Sequence, residues 1–274
     1  MNALVTRILS AAVVIIIFAA IYIFFGSKGL AISGSAVIAA GIFEFASLKY
    51  KKPSQMKNKI IFLFFSLLIL PIIFLLPEQR SMLITALLSL MVSVQIWVNR
   101  NQIHIDDLLK DLALSLLGVL YCVIFSSYAL RILLIENGDL VILGFMINVF
   151  ATDTFAYFSG LKFGKNKLMP SLSPKKTMEG ALGGLLGSVG CTTIYFYLIP
   201  EVTLPLGFLI ILSFITSILS QTGDLFESLL KRVAKVKDSG SIMPGHGGIL
   251  DRLDGFYFAA PVFYTLFVLF SQFT

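Results

Sequence analysis

The chain has little charge. Only 13% of its 274 residues are Asp, Glu, Lys or Arg, whereas 57% are hydrophobic, and the mean hydropathy is +0.92. This composition excludes an ordinary soluble domain of this length and indicates a lipid bilayer as the solvent. Carboxylates are scarcer than bases, so the net charge is +6 and the pI is near 9.3. The positive-inside bias of membrane proteins explains this excess more simply than a nucleic acid partner does.

Cysteine and histidine are also scarce, with two of each. Cys122 and Cys191 lie within apolar runs, and we interpret them as small packing residues rather than a disulfide or a metal site. His104 and His246 fall in different loops, which argues against a histidine-based zinc site.

Long hydrophobic runs fill most of the chain. A membrane-spanning helix needs about 20 apolar residues, so the sequence predicts an all-α integral membrane protein. The nine predicted spans lie near 8–25, 30–48, 60–76, 81–98, 111–130, 139–159, 179–199, 205–229 and 254–272. The segment 26–29 is the only break between the first two spans.

Lysine and arginine predict the orientation. With the N-terminus inside, 18 of the 21 basic residues fall in inner segments, and only Lys28, Arg80 and Arg131 fall in outer ones. This asymmetry predicts a cytoplasmic N-terminus, an external C-terminus, and polar loops 160–178 and 230–253 on the cytoplasmic side.

The densest polar segment is residues 228–254, SLLKRVAKVKDSGSIMPGHGGILDRLD. Its bases suit phosphate groups, and its glycines let backbone N–H groups approach an anion. Its carboxylates are hard ligands of the kind that Mg²⁺ takes. This combination predicts a metal–polyphosphate site. A solvated cytoplasmic loop would explain the lysines, but not PGHGG placed against DRLD at the start of the last span.

A second polar stretch begins at Asp153, a costly carboxylate inside a predicted span. Asp153 faces either a polar cavity or a hydrogen-bonding partner on a neighbouring helix. Ser173 or Thr177 is expected to cap the following helix and present free N–H groups to an anion. The bases near this cap are Lys162, Lys165, Lys167, Lys175 and Lys176, and ordinary positive-inside residues are the alternative interpretation.

The eighth predicted span has a polar face, because Ser217, Gln221 and Asp224 are spaced at i, i+4 and i+7. We predict that Asp224 meets Asp251 on a metal ion. Asp238 and Asp254 are weaker candidates, since each could neutralise a nearby base. His246 could bind phosphate or hold the glycine turn.

Other features are less specific. The pairs Gly180/Gly184 and Gly183/Gly187 give one helix a face of small residues. This face favours close packing against another helix over the alternative of a groove for substrate. The basic loop from Lys49 to Lys59 is interpreted as a topology signal, with contact to anionic lipid headgroups as the alternative. Glu44 lies inside a predicted span, and no partner can be assigned to it.

The segment 228–254 resembles the motif of the phosphatidate cytidylyltransferases, also called CDP-diacylglycerol synthases. Met243 stands where that motif has Leu, Ile or Phe, so it stays apolar. Elements similar to the family's Asp-x-x-Ala-Tyr and Ser-Pro-Lys-Lys-Thr follow Asp153, and Gln221-x-Gly-Asp matches a further one. The matching motif positions are Ser228, Lys231, Arg232, Lys237, Asp238, Pro244, His246, Gly247, Gly248, Asp251, Arg252 and Asp254.

The resemblance implies an inner-membrane enzyme that makes CDP-diacylglycerol and diphosphate from CTP and phosphatidate at the cytoplasmic face. It implies Mg²⁺, leaves room for a second cation such as K⁺, and suggests a homodimer. Residues 1–135 would then be supporting helices with lipid access, and 136–274 the catalytic region. The implied catalytic residues are Asp224, Asp251, Lys237 and Arg252, with Asp224 and Asp251 as metal ligands. The implied substrate-binding residues are Asp153, Lys162, Lys165, Ser173, Lys175, Lys176, Thr177, Gln221, Asp238, His246, Gly247, Gly248 and Asp254.

Two other classes stay open from the residues alone. A CTP-dependent lipid kinase, or a cytidylyltransferase acting on an isoprenoid lipid phosphate, would use similar groups. A secondary transporter would explain the many spans and the buried carboxylates, but it predicts polar sites at the membrane midplane. Here the polar residues cluster toward one membrane face.

Overall fold

The computed structural model describes residues 3–76, 78–101, 104–242 and 247–271. Its helices are α1 (Ala3–Lys49), α2 (Met56–Leu75), α3 (Arg80–Asn99), α4 (Ile105–Val119), α5 (Ser126–Ile132), α6 (Gly138–Phe163), α7 (Met178–Leu198), α8 (Leu206–Val233) and α9 (Leu250–Ser271). A short 3₁₀ turn, Pro53–Gln55, precedes α2, and a π-helical segment, Leu120–Phe125, joins α4 to α5. Strands β1 (Lys167–Met169) and β2 (Ser173–Thr177) form an antiparallel hairpin between α6 and α7.

The predicted all-α membrane architecture is confirmed. Within the described residues, eight helical stretches are long and apolar enough to cross a bilayer, and α4 with α5 forms one of them. The sequence predicts nine spans, and the difference arises at the first two, which the structure joins in α1.

Helix α1 is interrupted at Gly26, where φ is +61° and ψ is −157°. This left-handed backbone conformation favours glycine. At about 1.5 Å per residue, 47 helical residues would span roughly 70 Å, more than twice the thickness of a bilayer core. Gly26 therefore divides α1 where the sequence places the boundary between its first two spans.

Several helix termini meet at one end of the bundle, here called the site end. Lys51, after α1, donates a hydrogen bond to the Ala234 carbonyl after α8. The backbone N–H of Leu250, at the start of α9, donates to Glu44 of α1 at 3.0 Å. The hairpin joins this end through Arg232, whose Nε donates to the Leu172 carbonyl at 3.4 Å. The two predicted polar loops thus share one end.

Small residues bring α6 and α7 into close contact, as the glycine spacing predicts. A Cβ on Gly180 would lie 2.8 Å from the Ala156 carbonyl oxygen, and a Cβ on Gly184 would lie 2.7 Å from that of Thr152. Side chains larger than hydrogen would push the two helices apart, so the packing interpretation of these glycines is confirmed.

The polar face of α8 is directed at α6 and α7. Thr152 donates to Ser217 at 2.9 Å, and Gln221 donates to the Ala181 carbonyl at 3.2 Å. On the α9 side, a Cβ on Gly223 would lie 2.3 Å from the Asp254 carbonyl oxygen. This close approach brings the acidic residues of α8 and α9 together.

Candidate functional site

Three aspartates from different helices act on one another at the site end. Asp153 of α6, Asp224 of α8 and Asp254 of α9 are close enough for mutual electrostatic repulsion. Asp153 is exposed, whereas Asp224 and Asp254 are half-buried. Asp254 also accepts a hydrogen bond from the Gly255 N–H at 2.7 Å. A cluster of this kind needs positive charge beside it to be stable.

The hairpin supplies part of that charge. Lys176 of β2 forms an ion pair with Asp224, and Lys176 and Arg252 both act on Asp153. Strand β2 then runs into α7, where Thr177 accepts a hydrogen bond from the Gly180 N–H at 3.1 Å. The predicted helix cap at Thr177 is therefore confirmed, and it fixes the strand that carries Lys176.

The base of the hairpin is held by Glu179 in the first turn of α7. Its carboxylate accepts hydrogen bonds from the Lys165 N–H at 3.0 Å and from the Asn166 side chain at 2.8 Å. The backbone at Lys165 is thus tied to α7, while the Lys165 side chain is exposed. The hairpin itself was not predicted from the sequence.

Asp251 anchors the loop between α8 and α9. One carboxylate oxygen accepts from Lys231 at 2.6 Å, and Lys231 also pairs with Glu227 one helical turn earlier. The other oxygen accepts from the Ser239 N–H at 2.8 Å, the Ser239 hydroxyl at 3.0 Å and the Gly248 N–H at 2.9 Å. Asp251 is 7% exposed, so it holds the two ends of the loop together in a nearly closed environment.

Glu44 ties the same loop to the N-terminal half. Its carboxylate accepts hydrogen bonds from the backbone N–H groups of Ile249 at 2.9 Å and Leu250 at 3.0 Å. It also lies 3.0 Å from the Ser239 hydroxyl oxygen, whose single proton is shared between Glu44 and Asp251. The negative charge therefore caps the positive N-terminal end of α9. The sequence identifies Glu44 as a carboxylate that is energetically costly to place inside a membrane span. The partners lie about 200 positions away, so no local pattern could identify them.

The glycines of this loop are required by space and by backbone conformation. Gly247 has a φ of +85°, which L-residues with a side chain rarely adopt. A Cβ on Gly248 would lie 2.1 Å from the Ser239 hydroxyl oxygen and 2.4 Å from a Glu44 carboxylate oxygen. Because the Gly248 N–H already donates to Asp251, this structure does not offer it to a phosphate.

Replacing Gly248 with alanine is expected to displace Ser239 and Glu44 and to lower activity at least tenfold. Overpacking at such a site costs about 1–3 kcal/mol. Gly190→Ala is the matched control, because a Cβ there meets nothing within 4 Å. Turnover and thermal unfolding of both purified variants provide the measurement. Equal activity in the two variants would contradict the proposed packing around Gly248.

The remaining predicted residues occupy varied positions. Ser173 begins β2 opposite Met169, and Gln221 contacts α7 rather than the acidic cluster. Lys162 lies 5.3 Å from the Phe163 ring. His246 lies outside the described residues. Within the part of the chain that the structure describes, Lys175, Lys237 and Asp238 are exposed and form no ion pair.

The pairing of Asp224 with Asp251 on one metal ion stays a prediction. Their described partners differ, because Asp224 pairs with Lys176 and Asp251 pairs with Lys231. Asp153, Asp224 and Asp254 interact electrostatically, but among the described residues no three His, Cys, Asp or Glu side chains lie close enough together to hold one ion by themselves. Mg²⁺ usually takes only one or two carboxylates, together with water and substrate phosphates. The donor chemistry of the cluster at Asp224 fits such an ion.

These features define a helical membrane protein with acids, bases and a glycine-containing loop gathered at one end of the bundle. Comparison with known families then identifies the group: the chain belongs to the cytidylyltransferase family, whose model matches residues 5–270.

Curated relatives agree with this family. Proteins named phosphatidate cytidylyltransferase from Bacillus subtilis strain 168 and Haemophilus influenzae are 48% and 44% identical over 123 and 132 residues. The protein of that name from Thermotoga maritima is 39% identical over 166 residues. These matches cover 45%, 46% and 59% of this chain, and 45%, 45% and 61% of the relatives. The chain thus spans about half the length of the curated relatives it matches.

Proposed function

We propose that the chain is a phosphatidate cytidylyltransferase that makes CDP-diacylglycerol and diphosphate from CTP and phosphatidate in phospholipid biosynthesis. The observation that carries this proposal is the family match over residues 5–270. The similarity to proteins named for this activity and the gathering of the described motif residues at one end of the bundle support it. A site at the end of membrane helices suits a reaction between a soluble nucleotide and a lipid.

The chemistry needs no protein nucleophile. A phosphate oxygen of phosphatidate attacks the α-phosphorus of CTP, a new P–O–P bond forms, and the bond to the β-phosphate breaks to release diphosphate. Both reactants are anions, so the protein must hold them together and stabilise the charge on the leaving group. Positioning and electrostatics supply most of the catalysis in such transfers.

The basic residues at the site end are proposed to bind the phosphates. Lys176 and Arg252 already act on Asp153 of the acidic cluster, and Lys175, which precedes Lys176 on β2, is exposed. Lys237 is exposed on the loop that Asp251 anchors, so it can reach a substrate without breaking an ion pair with a described residue. The acyl chains of phosphatidate would stay in the bilayer.

Mg²⁺ is proposed as the cofactor, with Asp224 and Asp251 as its ligands and Asp153 and Asp254 near Asp224. When bound, it would neutralise phosphate charge and favour release of diphosphate. Lys176 would then leave its ion pair with Asp224 and pair with a substrate phosphate instead. The positive charge of Lys176 would thus remain neutralised. A second cation such as K⁺ and a homodimer remain proposals, tested by activity in K⁺-free buffer and by light scattering in detergent.

We also propose nine membrane crossings, with the N-terminus and the site end in the cytoplasm, the C-terminus outside and the protein in the inner membrane. Tyr22, before Gly26, donates a hydrogen bond to Asp139 at the start of α6, away from the site end. Residues 27–49 therefore cross once, and residues 3–25 are long enough to cross again. The division into supporting helices, 1–135, and catalytic region, 136–274, is kept, with Glu44 as a contact between them.

Terminal tags should lie on opposite sides of the membrane if nine segments cross it. With both native cysteines replaced, a cysteine at Glu136 should react with a membrane-impermeant reagent in intact cells, and one at Ser171 should not. Protease access to each tag in the same cells counts the crossings. Tags on the same side would support eight crossings, and labelling at Ser171 alone would reverse the orientation.

Labelled CTP separates the proposed reaction from its alternatives. Label at the α-phosphate should enter the lipid product, and label at the γ-phosphate should leave with diphosphate. Transfer of the γ-label to lipid would identify a lipid kinase instead. Reaction with an isoprenoid phosphate but not with phosphatidate would show that the lipid substrate is an isoprenoid. Uptake of an anionic solute into proteoliposomes without CTP turnover would favour a transporter.

A further inference from the structure

A small cavity opens at the site end, between α2 and the end of α3. It measures about 220 Å³ and is lined by Lys57, Trp97, Val98, Arg100 and Asn101. None of these residues belongs to the acidic cluster or to the loop held by Asp251. The cavity is therefore separate from the proposed catalytic site, although both lie toward the same face of the membrane.

The cavity carries positive charge without a neutralising carboxylate. Lys57 and Arg100 are exposed and form no ion pair with any described residue. The residues outside the described ranges include no Asp or Glu. The Arg100 guanidinium lies 4.4 Å from the centre of the Trp97 ring, which orients it through a cation–π contact. Asn101 adds an amide donor, so the lining suits a phosphate group.

Apolar side chains continue from the cavity along both helices. Trp97, Val94 and Leu90 form a stripe on α3 at helical spacing, and they are 66%, 37% and 54% exposed. On α2, below Lys57, Ile60, Phe64 and Leu68 are 59%, 60% and 39% exposed. Two cations at the top of these stripes match the layout of a lipid, with its headgroup at the interface and its acyl chain alongside the helices.

We propose that this cavity binds the phosphate-bearing headgroup of an anionic glycerophospholipid, with an acyl chain along α2 and α3. The occupant is a bilayer lipid because the apolar stripes lead directly from the cations, and a soluble phosphate would leave them unused. Positive-inside lysines that act only as topology signals require neither a cavity nor an arginine stacked on tryptophan. The proposal does not depend on the CTP reaction.

The single tryptophan of the chain makes the site directly measurable. The full chain is reconstituted in phosphatidylcholine vesicles with a brominated lipid, either phosphatidylglycerol or phosphatidylcholine, and quenching of Trp97 emission gives the relative binding. Each nearby basic residue contributes roughly a factor of five and two together roughly thirty. We expect a preference for the anionic lipid within that range, weaker in high salt.

Variants decide whether the cavity causes this preference. Lys57→Gln should reduce the preference for the anionic lipid several-fold. The double variant, Lys57→Gln with Arg100→Gln, should bring the ratio of anionic to neutral lipid binding close to one. Quenching in each variant is normalised to the unquenched emission of that variant. Lys110→Gln, an exposed residue on α4, should leave the preference unchanged. Equal quenching by both lipids in the unaltered chain would overturn the proposal. So would a preference that the double variant retains, or one that soluble glycerol phosphate abolishes.

Discussion

Asp224→Asn is expected to lower cytidylyl transfer about 100- to 1,000-fold while the protein remains folded. Asparagine keeps the shape of the side chain but loses the negative charge that holds Lys176 and would help to bind Mg²⁺. Loss of one preorganised electrostatic group at a reacting centre typically costs about this much. The measurement is turnover against Mg²⁺ concentration, with the folded fraction checked by gel filtration.

The same Mg²⁺ titration distinguishes two possible ligand pairs for the metal ion, Asp224 with Asp251 and Asp224 with Asp254. If Asp224 and Asp251 share the metal ion, asparagine at either position should raise the Mg²⁺ concentration needed for half-maximal rate. If the structure's grouping is the functional one, Asp254→Asn should have that effect, and Asp251→Asn should instead loosen the loop. Asp107→Asn, in the exposed first turn of α4, is the control. Normal Mg²⁺ dependence in Asp224→Asn would contradict a metal role for this residue.

Glu44→Gln is expected to lower kcat at least tenfold although Glu44 belongs to the N-terminal half. Glutamine keeps one acceptor oxygen, so its NH2 group would face either the Ile249 N–H or the Leu250 N–H and the Ser239 hydroxyl. Leaving buried donors without an acceptor costs about 1–3 kcal/mol. The loop would then hold Asp251 and Lys237 less firmly, so kcat should fall more than the KM for CTP rises.

A matched variant separates this positioning role from general stability. Asn58 is also buried in the N-terminal half, and its amide donates to Asn99 at 3.2 Å and to Asp111 at 3.1 Å. Asn58→Ala should lower the unfolding temperature while kcat is retained. Tryptic cleavage after the exposed Lys235 and Lys237 should accelerate in Glu44→Gln alone. Unchanged cleavage and unchanged kcat in Glu44→Gln would show that Glu44 serves stability only.

Local patterns in the sequence predicted much of this structure. Hydropathy predicted the apolar helices, and glycine spacing predicted the close contact of α6 with α7. The cap at Thr177 and the one-sided polar face of α8 also follow from neighbouring residues, because both depend on helical periodicity and backbone hydrogen bonding. Two predicted spans separate the two polar loops, so both loops must lie on the same side of the membrane, whichever compartment that side faces.

Other features depend on contacts between distant parts of the chain. The hairpin at Lys167–Thr177 lacks the alternation of apolar residues that predicts strands, and Lys176 forms an ion pair with Asp224 of α8. Glu44 and Ser239 are far apart in sequence, so only the fold reveals that they hold the loop together. Lys176 and Asp224 could each be flagged as candidates, but their pairing requires the three-dimensional arrangement of β2 and α8.

The most direct test of the central proposal is turnover by the purified chain in detergent with phosphatidate, CTP and Mg²⁺. The account predicts one cytidine-containing lipid for each diphosphate released. Both products should be lost with EDTA and should fall about 100- to 1,000-fold with Asp224→Asn. Folded protein that forms no such lipid, while the Bacillus subtilis relative does so in the same assay, would contradict it.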